Sequence, residues 1–369
     1  MKNSKIRHVM GISGGKDSAA LAIYLFEKYP ELEVEYYFCD TGKELQETYD
    51  LIEGLENNLG KEVIKLKAAE GSHENSFDHF HKIYGGYLPS SNARWCTKKL
   101  KIEPFEEYVG DDPVISYVGI RGDENREGYI SKKSNIQSIF PFRRNIWSKD
   151  LISKLLNNGE IVTLLWLYEK HAEESKKDRI FEIVQEPLSS KFNQSQKLNS
   201  LLDLGVIAFN KVVYDFLKDT DYPLSRTASF PLVDNEDVLV RDDIFKKLRD
   251  SGVGVPKYYE KITFEVNGEK GEYARSRSGC YFCFFQQKIE WVWLYEQHPE
   301  KFQKAMEYEK EGYTWMQGES LEELSMPERI QQIKEDTLKR LKNSKSKDSP
   351  YLIDKLTEAE GEGCAACFI

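Results

Sequence analysis

The 369-residue chain contains no apolar run long enough to span a bilayer, which excludes a membrane helix on sequence grounds. Basic residues are in the minority, 52 Lys and Arg against 62 Asp and Glu, for a formal net charge of −10. That balance argues against binding polyanions over the general surface. No Gly-x-x-x-x-Gly-Lys-Ser/Thr loop is present, which excludes a Walker-type phosphate site. Cysteine is sparse, six residues, and no repeat or low-complexity tract occurs. The basic start Met1–Arg7 runs into the first apolar stretch with no leader-type hydrophobic region, so the expected location is the cytoplasm. Hydrophobic residues make up 40% and charged residues 31% of the chain, and mean hydropathy is −0.60. These values fit a water-soluble protein with a real core, and the length exceeds one typical domain.

The strongest signal is Ser13-Gly14-Gly15-Lys16-Asp17-Ser18. It follows the apolar run His8–Ile12 and precedes the helical pattern Ala19–Phe26. A strand, a glycine turn and a helix N-terminus form an anion site. The first-turn N–H groups lack helical partners, the helix dipole adds positive charge, and glycine admits close approach of a phosphate. Lys16 adds a full charge. The stretch predicts a nucleotide-phosphate site.

Residues 7–12, 33–39, 62–67 and 114–119 read as strands, with helices at 17–29, 45–58, 76–84 and 97–109 between them. Strand–helix alternation predicts an α/β, doubly wound, mostly parallel sheet, with ligands at the carboxyl ends of its strands. Asp40-Thr41-Gly42 follows the second strand and reaches the same rim. It reads either as a helix cap or as a nucleotide contact, with Asp40 and Asp17 as carboxylates for Mg²⁺. Helical periodicity dominates 136–235, read as an insertion between the similar triplets Phe140-Pro141-Phe142 and Phe230-Pro231-Leu232. A helix at 241–252, a hairpin around Asn267-Gly268, an aromatic-rich helical stretch at 285–311 and a charged helix at 327–343 follow. The expected division is a core at 1–135, the insertion at 136–235, completion of the core at 236–300, and a helical region with a mobile tail at 301–369. His73, His79 and His81 read as structural, and Trp291, Trp293 and Tyr295 as core. Arg94, Lys98, Lys99 and Lys101 are either a local basic groove or a solvated helix face.

The hexapeptide resembles the PP-loop of N-type ATP pyrophosphatases. Asp40-Thr41-Gly42 with Glu47-Thr48-Tyr49, Arg94-Trp95-Cys96 through Pro104, Gly119-Ile120-Arg121 through Arg126, and Ser278-Gly279-Cys280-Tyr281-Phe282-Cys283 are similar, in order, to segments of the phosphoadenosine phosphosulfate (PAPS) reductase family. The resemblance covers roughly 1–130 and 236–300. It implies an adenine nucleotide α-hydrolase-like fold, with the nucleotide on Ser13, Gly14, Gly15, Lys16, Asp17, Ser18, Asp40, Thr41, Gly42, Arg121 and Arg126. Lys16 and Asp17 suit a ligand with β and γ phosphates. The resemblance is therefore nearest to ATP-using relatives such as the DndC-like DNA phosphorothioation proteins.

The resemblance also makes Cys96, Cys280 and Cys283 metal ligands, for a [4Fe–4S] cluster with zinc as the alternative; C-x-x-C spacing suits both. Cys364 and Cys367 near the end of the chain are candidates for a persulfide relay or redox pair, grouped with Lys16, Asp17 and Arg121 as catalytic residues. The implied function is adenylation of an acceptor coupled to sulfur transfer, with ATP and Mg²⁺ as cofactors, in nucleic-acid modification or phage defence. The donor would be a cysteine desulfurase or a thioredoxin-like protein, and 136–235 would contact nucleic acid or a protein partner. The alternatives are a thiol-dependent PAPS or APS reductase, and a nucleotide-binding subunit without turnover.

Overall fold

Five short segments pair into one parallel sheet in the computed structural model, which describes residues 5–124, 126, 128 and 130–345. They are β1 (Arg7–Gly11), β2 (Val34–Cys39), β3 (Val63–Leu66), β4 (Val114–Tyr117) and β5 (Ile136–Ile139). The order is β3-β2-β1-β4-β5, with His8 of β1 level with Val34 on one side and Ile115 on the other. All four residues of β4 and of β5 are buried. Burial on both faces is why these strands lack a clean polar–apolar alternation.

The flanking helices are α1 (Lys16–Lys28), α2 (Gln46–Leu59), α3 (Ser76–Ile83), α4 (Trp95–Thr97) and α5 (Glu103–Val109). Between α4 and α5 the helix widens into a π turn at Lys98–Ile102, where the Glu103 N–H reaches back to the Lys98 carbonyl. Pro104 follows immediately and has no N–H to give to the normal ladder. The chain winds β1-α1-β2-α2-β3 to one side of β1, then crosses to β4 and β5 on the other. The sheet therefore has a topological switch between β1 and β4, the place where such sheets open a ligand crevice.

β5 draws the start of the expected insertion, 136–139, into the sheet. The helical part comprises α6 (Lys149–Leu155), α7 (Ile161–His171), α8 (Lys177–Gln185), α9 (Gln194–Leu204) and α10 (Val206–Leu217). Its apolar residues, among them Leu164, Val184, Phe209 and Val213, join one continuous core with Ala19–Leu25 of α1 and Ile115 of β4. Trp147 donates its Nε1–H to Asn210 on α10 at 2.9 Å, fastening the helices to the end of the sheet.

The chain then returns through α11 (Arg241–Asp250), which packs on α1, and through Lys257–Tyr259, to an antiparallel hairpin. The hairpin consists of β6 (Ile262–Val266) and β7 (Glu269–Tyr273). Asn267 and Gly268 both take positive φ in its turn, as an Asn-Gly hairpin requires. α12 (Lys288–Gln297), α13 (Pro299–Met306), α14 (Leu321–Leu324) and α15 (Pro327–Lys345) close a second core. Trp291 and Trp293 are buried in that core, as read from the sequence, while Tyr295 lies partly exposed. No described helix is long and apolar enough to cross a membrane.

Candidate nucleotide and thiol site

The Ser13–Ser18 loop leaves the carboxyl end of β1 and turns into α1. Gly14 takes φ +75°, and a Cβ there would lie 2.3 Å from Cγ2 of Thr48 on α2. Only glycine satisfies both the backbone and the space. The loop is internally tied: the Ser13 N–H donates to Ser18 Oγ at 3.1 Å, and the Ser18 hydroxyl donates to the Gly15 carbonyl at 3.1 Å. Gly15 sits at the N-cap of α1 with no side-chain cap, and the Lys16 N–H faces the Tyr259 hydroxyl at 3.4 Å.

Residues about 240 positions further along cover this loop. The Tyr258 hydroxyl donates to the Gly14 carbonyl at 2.7 Å. Lys16 Nζ lies 5.0 Å from the ring centre of Tyr259, and a Cβ at Gly15 would meet Ser278 Oγ at 2.7 Å. Tyr258 and Tyr259 escaped the sequence reading, and Ser278 entered it only as part of the Cys-x-x-Cys segment, since no local pattern connects them to the loop.

Lys16, Asp17 and Arg121 are all buried here. Lys16 Nζ lies 3.2 Å from Asp17 Oδ2, and Arg121 donates to Asp17 Oδ1 at 2.9 Å. Arg121 also donates through Nε to Asp123 at 2.8 Å and pairs with Glu124, which in turn accepts from Arg126 at 2.8 Å. Three cations thus face three carboxylates. Burial alone would raise the Asp17 carboxyl, but Lys16 and Arg121 outweigh it and hold the group below its ordinary value. Burial lifts Glu124 instead, against the pull of Arg126. β4 reaches this network because Gly119 lets its loop lie against the Asp17 peptide, 3.0 Å from the carbonyl oxygen to where a Cβ would stand.

At the end of β2, Asp40 Oδ1 accepts from the Gly42 N–H and from the Tyr49 hydroxyl, both at 2.9 Å. Asp40 thus closes a local turn and does not cap α2, whose N-cap, Leu45, has no side-chain cap. Gly42, at φ +76°, would carry a Cβ 2.5 Å from Asn75. The Thr41 hydroxyl donates to Glu44 Oε1 at 2.6 Å, and its oxygen lies 3.2 Å from Cys280 Sγ. Glu44 and Cys280 also form a β-bridge, so the Cys-x-x-Cys segment is clipped onto the Asp-Thr-Gly loop. Burial raises both the Glu44 carboxyl and the Cys280 thiol, and the Glu44 charge pushes the thiol further. Cys39, buried at the end of β2, is pushed up to about 12.

The structure brings Ser13–Ser18, Arg121 and Arg126 into one network, and Asp40–Gly42 with Cys280 into a second on the same rim. Cys280 and Cys283 bracket one turn, with the Cys283 N–H donating to the Cys280 carbonyl at 3.2 Å. Cys96 and Cys280 both pack at the border of the second core. Among the described residues, however, no group of three or more His, Cys, Asp and Glu side chains is arranged to hold a metal ion. The expected Cys96, Cys280 and Cys283 set is not assembled as a metal centre, and Cys280 is engaged with Thr41 instead. Asp17 and Asp40, the expected Mg²⁺ carboxylates, hold the separate internal partners given above. Cys364 and Cys367 lie outside the described residues.

Residues 7–147 match the family profile of the phosphoadenosine phosphosulfate reductase domain. An uncharacterised protein of Methanocaldococcus jannaschii is 32% identical over 36% of this chain and 28% of its own length. The adenosine 5′-phosphosulfate reductase of Staphylococcus haemolyticus is 27% identical over 38% of this chain and 57% of its own. The tRNA-specific 2-thiouridylase of Actinobacillus succinogenes is 26% identical over 38% and 43%. The chain thus spans well under two thirds of each of these curated relatives.

Proposed function

We propose, from the phosphoadenosine phosphosulfate reductase domain that residues 7–147 carry, that this chain is an ATP-using enzyme of sulfur chemistry. It cleaves ATP between the α and β phosphates. An acceptor oxygen attacks the α phosphorus, pyrophosphate leaves with the electron pair of the broken bond, and the adenylylated acceptor is then open to a sulfur nucleophile that expels AMP. The setting proposed is nucleic-acid modification or phage defence in the cytoplasm, with a cysteine desulfurase or thioredoxin-like protein supplying sulfur.

The observation that carries this reading is the Ser13–Ser18 loop, with Gly14 at φ +75° and Lys16 on the first turn of α1 at the β1/β4 switch. Its N–H groups and the helix dipole suit phosphate oxygens, and Lys16 suits the charge that grows on departing pyrophosphate. Arg121 fixes Asp17 and hence the start of α1. Catalysis by this set rests on positioning and charge neutralisation. Among the described residues the expected iron–sulfur cluster and its zinc alternative find no assembled ligand set.

The direct test is pyrophosphate release from ATP and Mg²⁺ by the purified chain, and its loss in Lys16→Ala. Failure of the wild-type chain to bind ATP would sink the proposal. The likeness to an adenosine 5′-phosphosulfate reductase favours a second reading, thiol-dependent reduction. Sulfite release from that nucleotide or from PAPS, with a thioredoxin as donor, would establish it instead.

A further inference from the structure

We infer that Tyr259 is an internal competitor for the triphosphate: its phenol oxygen accepts a helix N–H suited to a phosphate oxygen, and its ring withdraws before a nucleotide reaches Lys16. The inference rests on the reading above that the Ser13–Ser18 loop seats ATP.

Two cationic elements make up that seat, the start of α1 and the Lys16 ammonium, and the chain's own groups sit on both. The Lys16 backbone N–H, in the first turn of α1, donates to Tyr259 Oη at 3.4 Å. Lys16 Nζ lies 5.0 Å from the centre of the same ring and 3.2 Å from Asp17 Oδ2. One side chain thus turns its oxygen to the helix start and its ring to the ammonium. At 3.4 Å the N–H···O contact lies beyond the usual limit of about 3.2 Å. A long bond to a neutral oxygen is one that a charged phosphate oxygen displaces.

Burial makes the displacement obligatory. Lys16 is 2% exposed, so no triphosphate touches its ammonium until a covering group moves. Tyr259 is placed to be that group. It ends the short turn Lys257–Tyr259, which α11 reaches through Gly252 and Gly254. These two glycines take φ +80° and +83°, with open space where each Cβ would stand, so the approach to the turn has room to shift. Its companions in the cover bond in the opposite sense. The Tyr258 hydroxyl donates to the Gly14 carbonyl at 2.7 Å, and the Ser278 hydroxyl to the Ser13 carbonyl at 3.5 Å. Carbonyls are not groups that a phosphate uses. Tyr258 and Ser278 therefore hold the shape of the loop, whereas Tyr259 occupies one of its donors.

The test is the binding kinetics of MgATP on the tethered full chain, read by surface plasmon resonance, for the wild type, Tyr259→Phe and Tyr258→Phe. Tyr259→Phe keeps a ring beside Lys16 and removes only the competing oxygen. A competitor of this kind lowers the fraction of chains ready to bind, so its removal raises kon and leaves koff unchanged. The expected rise in kon is roughly two- to tenfold, the worth of one neutral hydrogen bond. Tyr258→Phe, which removes a donor to a carbonyl, should not raise kon. Unchanged or weakened affinity in Tyr259→Phe, or a change confined to koff, would overturn the inference. So would an equal rise in kon in Tyr258→Phe, which marks general loosening of the cover. Binding of MgATP by neither the wild type nor Tyr259→Phe overturns this inference and the ATP reading together. Pyrophosphate release, measured separately, decides the adenylation reading alone.

Discussion

Gly119 lies flat against the peptide of Asp17: a Cβ at 119 would stand 3.0 Å from the Asp17 carbonyl oxygen and 3.1 Å from its carbon. Backbone, unlike a side-chain tip, cannot swing aside. Gly119→Ala should therefore push the β4 loop off the start of α1. A loss of about 1–3 kcal/mol in urea unfolding is expected, with weakened ATP binding in the same preparation.

Gly14→Ala faces two separate penalties. A left-handed backbone costs an L-residue about 1–2 kcal/mol, and the new methyl collides with Cγ2 of Thr48 at 2.3 Å. Thr48→Ser removes that Cγ2 alone. The double variant should recover the steric part and keep the backbone part, giving a coupling of about 1 kcal/mol or more in a double-mutant cycle read by denaturant unfolding.

Removing Arg121 strands carboxylates. Arg121 is 1% exposed and its guanidinium holds Asp17, Asp123 and Glu124. Arg121→Ala should destabilise the chain by about 3–5 kcal/mol, well beyond the loss of a surface ion pair. Chemical denaturation gives this directly.

Asp17 also predicts a pH dependence. Its folded pKa is lowered by Lys16 and Arg121 in spite of burial, so the folded state holds its proton less tightly than the unfolded chain does. The stability this contributes is present above the unfolded carboxylate value of about 3.9. It is lost as pH falls from there through the lower folded value. Asp17→Asn should flatten the acid limb of a stability–pH profile measured between about pH 5 and 2.

The insertion should not unfold alone. Its helices share one core with α1 and β4, and Asn210 is fully buried between Trp147 and the Asn235 carbonyl. Asn210→Ala leaves the Trp147 Nε1–H without its acceptor, at about 1–3 kcal/mol. Unfolding followed by tryptophan fluorescence and by circular dichroism should shift together and remain coincident.

The first four strands were legible because each is a short apolar run ahead of a recognisable turn or helix pattern. β5 was not: Ile136-Gln137-Ser138-Ile139 has two polar residues in four. One of them, Gln137, is buried because its side chain accepts the Leu224 N–H from a distant turn. The Ser13–Ser18 segment was legible as a strand-to-helix turn, since its glycines and the helix start are local requirements. The relation of Tyr258, Tyr259 and Ser278 to Gly14, Gly15 and Lys16 was invisible because it exists only after folding. The cysteines illustrate a different limit of spacing. Spacing marked Cys280 and Cys283 as ligands, yet Cys280 lies against Thr41, with Glu44 beside it, a contact that spacing alone does not encode.

The cover that Tyr258, Tyr259 and Ser278 place over the phosphate loop has a consequence for biosynthesis. Strand pairing among β1 to β5 needs only the first 139 residues to leave the ribosome. The loop gains its cover only when residues some 240 positions later have emerged. A chain that lacks residues 258–278 keeps every strand of the sheet but has nothing to cover the Ser13–Ser18 loop.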